Sequence, residues 1–369
     1  MSHDWSDTKS KFSQCLCPPG NGVFTVNTAQ ERKAALHQKL YGQTDNIDVL
    51  WQASLDQLPA SEHKAAILGI SSDCGGGILR GANWGPLFLR SALIEQQPST
   101  TCFDLGDVRV IPHLLHDKYL NEGTIANCQK ALYQNQDSAY FVSPLSITED
   151  VCDDFYAQFP DKGIFGIGGD HSISYPLTKS YLKAKRERGI RTAIIHFDAH
   201  TDLLVERLGI DLCFGSWCTH ILEFLPAPHH LIQFGIRSSG KPKSHWESTF
   251  GVKQHWAHEI REKGAQAIVD EVIAQLKADQ VDELYVSFDI DALDAKYASA
   301  TGTPEYDGMT PDESMLILTE LNKHFPITGA DMMEIAPFTD SSLQGKVSSE
   351  TTLKEGAALS AFLIDAMNR

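Results

Sequence analysis

Short, solidly apolar segments recur along this chain from Lys64 onward, and they constrain its fold more than any other feature. Several lack the alternation of a half-exposed strand, which is typical of strands buried on both faces of a parallel sheet. The strands predicted in this way are AAILGI (65–70), GIFGIG (163–168), TAIIHF (192–197), HLIQFGI (230–236), ELYVSFDI (283–290) and GADMMEI (329–335). Amphipathic segments between them predict helices over 84–96, 123–134, 175–188, 265–277, 311–323 and 353–367. This alternation predicts an α/β protein with three layers, α/β/α.

The first 60 residues lack a strong strand pattern, and we expect them to form an N-terminal extension (1–60) to a single domain (61–369). Helices are expected over 30–40 and 46–58. The extension is expected to pack on the body of the protein or on a neighbouring subunit. A chain of 369 residues is long for one domain, yet open α/β sheets reach this size.

Composition argues against several classes of function. The formal charge of −17 disfavours nucleic acid and anionic membranes as partners, because both attract basic surfaces. The same charge fits a cationic substrate, although acidic proteins are also common for reasons of solubility. No apolar run approaches the roughly 20 residues needed to cross a bilayer, and the polar N-terminus lacks the apolar segment of a signal peptide. A cytoplasmic location is therefore expected.

The eight cysteines do not form the paired C-x-x-C pattern of a zinc site. In a cytoplasmic protein we expect them to be reduced thiols. Cys15 and Cys17 are expected to be free and exposed in a mobile N-terminal segment.

Polar residues follow four of the predicted strands at their carboxyl ends, where ligands bind in open α/β sheets. They are Asp170 and His171, then Asp198, His200 and Asp202, then Asp289 and Asp291, and finally Glu334 with Asp340 beyond it. In extended chain, residues two apart point the same way, so D-x-H-x-D and D-x-D each present their ligands together. Two imidazoles with four carboxylates suit two divalent ions such as Mn²⁺, although Ni²⁺ and Fe²⁺ accept the same ligands.

Each of these motifs also has a structural interpretation when it is taken alone. GGDHS is compatible with a turn and a helix cap, and D-x-D with capping aspartates. His196, beside apolar neighbours, is expected to be a core histidine. The occurrence of such motifs after several strands of one sheet favours the metal site.

The motifs GGDHS (168–172), DAHTD (198–202), SFDIDALD (287–294), TGTP (301–304) and EIAP (334–337) resemble those of the ureohydrolases, the family of arginase, agmatinase and formiminoglutamase. The resemblance spans roughly residues 64–369. It implies an eight-stranded parallel sheet, a trimer or hexamer, and two Mn²⁺ ions per chain. By that resemblance the first ion is bound by His171 and Asp202, the second by His200 and Asp291, and both by Asp198 and Asp289.

The resemblance also implies a mechanism. A hydroxide that bridges the two ions attacks the planar carbon of a small cationic guanidino substrate, and an amine leaves. Asp202 is expected to relay the proton and Glu334 to pair with the substrate's nitrogens, while Thr303 helps to place the substrate.

The loop after DAHTD departs from the family pattern, because Phe214-Gly215 stands where a His-Gly pair is usual. A phenylalanine cannot transfer a proton, so His220 reaches back, water acts instead, or the substrate differs. Phe214 and Trp217 would hold a guanidinium on an aromatic face or form an ordinary apolar wall.

In the glycine-rich loop 71–90, Asp73 and Arg80 lie nearest the expected rim of the site. Arg80 would meet a substrate carboxylate or tie the loop down.

The sequence as a whole predicts an agmatinase-like enzyme that releases urea. Formiminoglutamate and other small guanidino compounds or acids are alternatives within the family. A single-zinc deacetylase-like hydrolase and a metal-binding paralogue without catalysis are alternatives of other kinds.

Overall fold

A computed structural model describes residues 4–23, 29–76, 79–339 and 349–369. Within these residues one sheet contains nine strands, in the order β1-β3-β2-β4-β9-β8-β5-β6-β7. The strands are β1 (Leu16–Cys17), β2 (Ala65–Gly69), β3 (Phe103–Val108), β4 (Gly163–Ile167), β5 (Thr192–Phe197), β6 (Leu231–Phe234), β7 (Lys253–His255), β8 (Glu283–Asp289) and β9 (Ile327–Met333). All pairings are parallel except that of the two-residue β1 with β3.

Helices cover both faces of this sheet. They are α1 (Trp5–Cys15), α2 (Gln30–Tyr41), α3 (Ile47–Leu55), α4 (Gly85–Gln96), α5 (Glu122–Tyr133), α6 (Pro144–Gln158), α7 (Ser174–Glu187), α8 (Trp217–Ile221), α9 (Lys243–Phe250), α10 (Ala257–Lys263), α11 (Ala265–Ala278), α12 (Pro311–His324) and α13 (Ser349–Met367). The predicted three-layer α/β/α fold is confirmed. Eight parallel strands match the expected number, and β1 is an addition at one edge.

Side chains of a single strand divide between two apolar cores, as both-face burial requires. Ile195 and Phe197 pack in one core with residues of α4, α11, α12 and α13. Ile194 packs in the other with residues of α1, α6 and α7. This explains why the strands read as solidly apolar.

Three strands were not predicted, because their sequences are polar or too short. In β3, Asp104 and Asp107 interrupt the apolar pattern, and both carboxylates lie 2.8 Å from nitrogens of the buried Arg90. The edge strand β7 reads Lys-Gln-His and β1 has only two residues. Ion pairs with Arg90 therefore support β3, whereas β1 and β7 lie at the two edges of the sheet.

The N-terminal segment packs on the body of the same chain. The backbone N–H groups of Gly20 and Gly22 donate to Oδ2 of Asp107, at 2.8 and 3.0 Å. Cys15 and Cys17 are buried, so the expectation that these thiols are exposed is wrong. Burial in an apolar core raises the pKa of Cys15 to about 12.

No helix in the described ranges is both long and apolar enough to cross a membrane.

Candidate metal centre

The strands that precede the predicted ligands are neighbours in the sheet, in the order β4-β9-β8-β5. Their carboxyl ends therefore meet at one edge. After β4, the side chain of Asp170 accepts from the N–H of Ser172 and starts a 3-10 turn that carries His171. After β8, Asp289 caps a similar turn by accepting from the N–H of Asp291. A Cβ at Gly169 would lie 1.6 Å from the Ser72 carbonyl oxygen, so only glycine fits this turn.

His171 lies at the centre of one half of the cluster. Its Nδ1 is 3.2 Å from Oδ2 of Asp198, 3.2 Å from Oδ2 of Asp202 and 3.1 Å from Oδ2 of Asp289. This nitrogen is buried, and none of the three contacts is aligned as a hydrogen bond. Ligands bound at about 2.1 Å to one ion lie about 3.0–3.4 Å apart, so these spacings fit a shared cation.

His200 forms the second half of the cluster. Its Nδ1 is 3.3 Å from Oδ1 of Asp198 and 3.2 Å from Oδ2 of Asp291. Asp198 therefore presents one oxygen to each histidine. The donor atoms of Asp198, His200 and Asp291 lie within 4.8 Å of one another, as a metal-binding group requires. The side chains fit two cations that share Asp198.

Burial and mutual repulsion raise the pKa of Asp202 and Asp289 well above the ordinary aspartate value. Burial also raises the pKa of Asp198, but the close imidazoles of His171, His196 and His200 outweigh it and hold the value well below normal. For His171, burial lowers the pKa, and the surrounding carboxylates more than reverse that effect. Carboxylates gathered out of water in this way need protons or cations to offset their charge.

Asp202 and Glu334 adopt strained backbone conformations, with φ of 50° and 63°. Oδ2 of Asp202 accepts from the indole Nε1 of Trp217 at 2.8 Å, and Oε1 of Glu334 accepts from the backbone N–H of His171 at 2.9 Å. Burial, with Asp289 and Asp170 nearby, raises the pKa of Glu334 well above its usual value. Both carboxylates are thus held in fixed orientations.

A chain of polar groups beneath His171 was missed by the sequence analysis. Nε2 of His171 lies 3.0 Å from Oγ of Ser287, whose hydroxyl donates to Oδ1 of Asp331 at 2.8 Å. Oδ2 of Asp331 accepts from Tyr285 and Ser174. Because the serine gives its proton to the aspartate, it accepts from Nε2–H of His171. Nδ1 is therefore the nitrogen that faces the carboxylates and that would bind a cation in the neutral ring. The signal in the sequence was a polar residue inside each of two apolar strands.

His196 is a buried core histidine, as predicted. The amide nitrogen of Gln233 lies 2.8 Å from its Nδ1, and its Nε2 is 3.0 Å from Oδ2 of Asp198. Burial lowers the pKa of His196. The ring orients the aspartate shared by both halves of the cluster.

Thr303 and Glu305 close the side of the cluster formed by His200. Oγ1 of Thr303 donates to Oδ2 of Asp291 at 2.8 Å. Oε1 of Glu305 lies 3.7 Å from Nε2 of His200 and accepts from Ser238 at 2.7 Å. Thr303 was predicted, whereas Glu305 was missed although it directly follows the TGTP motif.

A sequence profile of the arginase family matches residues 63–359. The chain belongs to the arginase family. It is 28% identical over 301 residues to an agmatinase of Bacillus anthracis, covering 80% of this chain and 91% of that protein. It is 32% identical over 209 residues to an agmatinase of Bacillus subtilis, covering 56% and 67%. The fold is similar to that of formimidoylglutamase from Bacillus subtilis, with a TM-score of 0.64, 22% identity and coverage of 83% and 87%. The predicted resemblance is confirmed, and the protein is a ureohydrolase.

In this arginase-family protein, a cavity of about 440 Å³ adjoins the GGDHS turn. Gly75, in its wall, donates its N–H to Oδ2 of Asp170 at 3.1 Å. Most of the lining is apolar, and Phe214 and Leu208 form part of it. The guanidinium of Arg207 lies 4.9 Å from the centre of the Phe214 ring, so this ring face accommodates a guanidinium.

Two of the predicted site residues, Trp217 and His220, do not line the cavity. Trp217 is fully buried beneath the cluster, with its ring 5.0 Å from that of His171, and contributes nothing to the cavity wall. Nε2 of His220 lies 2.9 Å from the carbonyl oxygen of Asp211. That ring packs against Tyr175.

Arg80 ties down the glycine-rich loop in this arginase-family protein. Its guanidinium donates to the carbonyl of Asp73, and Oδ2 of Asp73 accepts from the N–H of Gly81 at 2.7 Å. Asp340 lies outside the described residues.

Proposed function

We propose that this ureohydrolase hydrolyses a small guanidino compound to urea and an amine, as an agmatinase does. The observation that carries the proposal is the pair of half-clusters joined by Asp198, with the fixed carboxylate of Glu334 beside them. The agmatinase relatives support the choice of substrate class.

The cofactor in this proposal is a pair of divalent ions, with Mn²⁺ preferred and Ni²⁺ or Fe²⁺ acceptable to the same ligands. The residues proposed to hold them are His171, Asp198, Asp202, Asp289, His200 and Asp291. When bound, such ions act as Lewis acids and supply an activated water molecule as the nucleophile.

Glu334 is proposed to bind the cationic end of the substrate. Its Oε1 is occupied by the His171 N–H, which leaves Oε2 for the substrate. A Cβ at Gly302 would lie 3.3 Å from Oε2, so glycine keeps this side of the carboxylate open. A guanidinium paired with Glu334 would lower the raised pKa of this carboxyl and be held by parallel hydrogen bonds.

Asp202 is proposed to accept the proton released during the reaction. The N–H of Trp217 fixes one carboxylate oxygen, and the other is free to take the proton. Thr303 acts through Asp291 and helps to set the position of the substrate. For His220 to deliver the proton to the leaving amine, its ring must leave Asp211; otherwise water carries that proton.

The cavity beside Phe214 is proposed to hold the carbon chain of the substrate. Its mostly apolar lining suits methylene groups, although basic side chains, Arg207 among them, also line it. Asp73 and Arg80 line the neighbouring pocket, and Arg80 is satisfied by the loop itself. The agmatinase relatives favour an agmatinase-like substrate over a guanidino acid. Formiminoglutamate is the second candidate, supported by the similarity of fold to a formimidoylglutamase.

We further propose that the protein works in the cytoplasm as a trimer or hexamer. In this proposal residues 1–60 are an extension and 61–369 the catalytic domain. Neither nucleic acid nor a membrane is a proposed partner, in keeping with the charge of −17.

The test is release of urea by full-length protein reconstituted with Mn²⁺ or Ni²⁺. The panel contains agmatine, arginine, guanidinobutyrate, guanidinopropionate, guanidinoacetate and guanidine, with formamide monitored for formiminoglutamate. We expect agmatine, or another guanidine without a carboxylate, to exceed the acids by at least tenfold in kcat/KM. In Phe214→Ala, KM for that substrate should rise more than kcat falls. Preference for an acid, or no urea from any compound, would contradict the proposal.

A further inference from the structure

A second group of side chains of metal-binding types lies at the amino ends of the strands, opposite the candidate metal centre. One donor atom each from His229, His230 and Asp279 lies within 4.8 Å of the others. The histidines end the 3-10 turn Pro228–His230 before β6, and Asp279 follows α11. Nδ1 of His230 contacts Thr192, the first residue of β5, whereas the candidate metal centre follows its last residue. At about 3.3 Å per strand residue, the two places are about 20 Å apart.

His230 is held in the tautomer that binds metals. Its Nδ1 lies 3.1 Å from the carbonyl oxygen of Thr192, which can only accept, so Nδ1 carries the proton. The lone pair of Nε2 is therefore free, and it lies 3.9 Å from Oδ2 of Asp279. Burial lowers the pKa of His230, which favours the neutral ring. A hydrogen bond from the far ring nitrogen to a carbonyl is the usual support of a metal-bound histidine.

Oδ2 of Asp279 is shielded from solvent and accepts no hydrogen bond from the described residues. It lies 3.3 Å from Nε2 of His229, outside hydrogen-bond alignment. A shielded carboxylate oxygen facing an imidazole lone pair is unfavourable unless a cation lies between them. Ligands about 2.0–2.2 Å from a tetrahedral ion are about 3.3–3.6 Å apart, close to the separations of Oδ2 from the two rings.

We propose that His229, His230 and Asp279 bind a divalent cation of the zinc class, with water completing the coordination. Two imidazoles and one carboxylate suit Zn²⁺, Co²⁺, Ni²⁺ or Cu²⁺ better than Mg²⁺ or Ca²⁺. Such an ion joins the end of α11 to the turn that begins β6. It adds a site separate from the two ions proposed for catalysis.

Zn²⁺ is the probe for this site. Full-length protein is loaded with Mn²⁺, incubated with Zn²⁺ and desalted, and the metals are counted per chain by mass spectrometry. The site variants are His229→Gln and Asp279→Asn, whose positions are partly exposed. His258→Gln, exposed on α10, and Asp270→Asn, exposed on α11, are the matched controls.

We expect wild type and both controls to retain about one Zn²⁺ per chain more than either site variant. Because all five proteins share the candidate metal centre, zinc that replaces manganese there cancels in this comparison. Zn²⁺ should also raise the Tm of wild type and controls more than that of the variants. Equal zinc content in wild type and both site variants would mean a simple His229–Asp279 ion pair and would overturn the proposal.

Discussion

Asp202 lies where the imidazole of His171 and the indole of Trp217 meet. One of its oxygens is 3.2 Å from the imidazole and 2.8 Å from the indole nitrogen. The raised pKa of this carboxyl, caused first by burial and then by Asp198, shows that its negative charge is unfavourable without a cation. The residue therefore combines a metal ligand with a group suited to proton transfer.

Asp202→Asn should lower the rate of urea release by about 10²–10⁴-fold, the usual contribution of a general acid or base. The amide has the same shape and removes a buried charge, so the Tm of the metal-free protein should not fall. Initial rates, metal content and thermal unfolding check this. Asp270→Asn, exposed on α11, is the control, and an unchanged rate in Asp202→Asn would refute the assigned role.

Ser287 is expected to matter for metal affinity although it does not touch the proposed ions. Ser287→Ala removes the acceptor for Nε2–H of His171 and leaves Asp331 without one donor. Loss of such a partner typically weakens metal binding by 10–100-fold, and we expect Mn²⁺ affinity to fall by that amount. Calorimetric titration measures it. Rescue by Ser287→Thr would show that the hydroxyl is responsible, and wild-type affinity in Ser287→Ala would rule this role out.

Among the secondary-structure elements, β3 binds the N-terminal segment to the sheet through Asp107. One carboxylate oxygen is 2.8 Å from Arg90 and the other accepts from the backbone of Gly20 and Gly22. Asp107 and Arg90 are both almost fully buried. Removal of the Asp107 carboxylate alone would leave Arg90 with one fewer counter-charge.

Asp107→Ala should therefore lower the free energy of unfolding by about 3–5 kcal/mol, the usual cost of breaking a buried ion pair from one side. Urea denaturation measures the change, with Asp270→Asn expected to match wild type. A loss below about 1 kcal/mol would mean that the N-terminal segment is held by its apolar contacts instead.

Some strands could be predicted from the sequence and others could not. Strands buried on both faces, such as β5 and β8, were predicted because continuous apolar runs have few other structures. Strand β3 was missed because its two aspartates are needed by Arg90, a partner that local patterns do not reveal. The ligands of the cluster were found because they directly follow strands of one sheet.

The residues that hold the metal ligands in place were harder to predict. Ser287 and Asp331 face each other only once β8 and β9 are paired in register. The positions of Trp217 and His220 depend on the loop 203–216, whose backbone follows no regular pattern.

For the whole molecule, the stabilisation that metal provides should increase with pH. His171 and His200 have pKa values raised above normal, since their carboxylate neighbours outweigh burial. Their stabilising charge is fully present below the unfolded value of about 6.5 and is lost as pH rises through the folded values. The raised pKa values of Asp202 and Asp289 act in the same direction.

The metal-free protein should accordingly lose stability as pH rises, from about pH 4 through the two aspartates and from about pH 6.5 through the two histidines. Metal affinity should increase over the same range, because binding displaces protons. The difference in Tm between Mn²⁺-loaded and chelator-treated protein should therefore be larger at pH 8 than at pH 6. Thermal unfolding at both pH values tests this, and a difference that is constant or shrinks would be inconsistent with the charge balance described here.

In the proposed catalytic centre, Asp198 joins two cations. Electron paramagnetic resonance during Mn²⁺ titration of the full-length protein tests this arrangement. We expect two tightly bound Mn²⁺ per chain with the spectrum of a spin-coupled pair. One bound ion per chain, or two with the spectra of isolated ions, would contradict it.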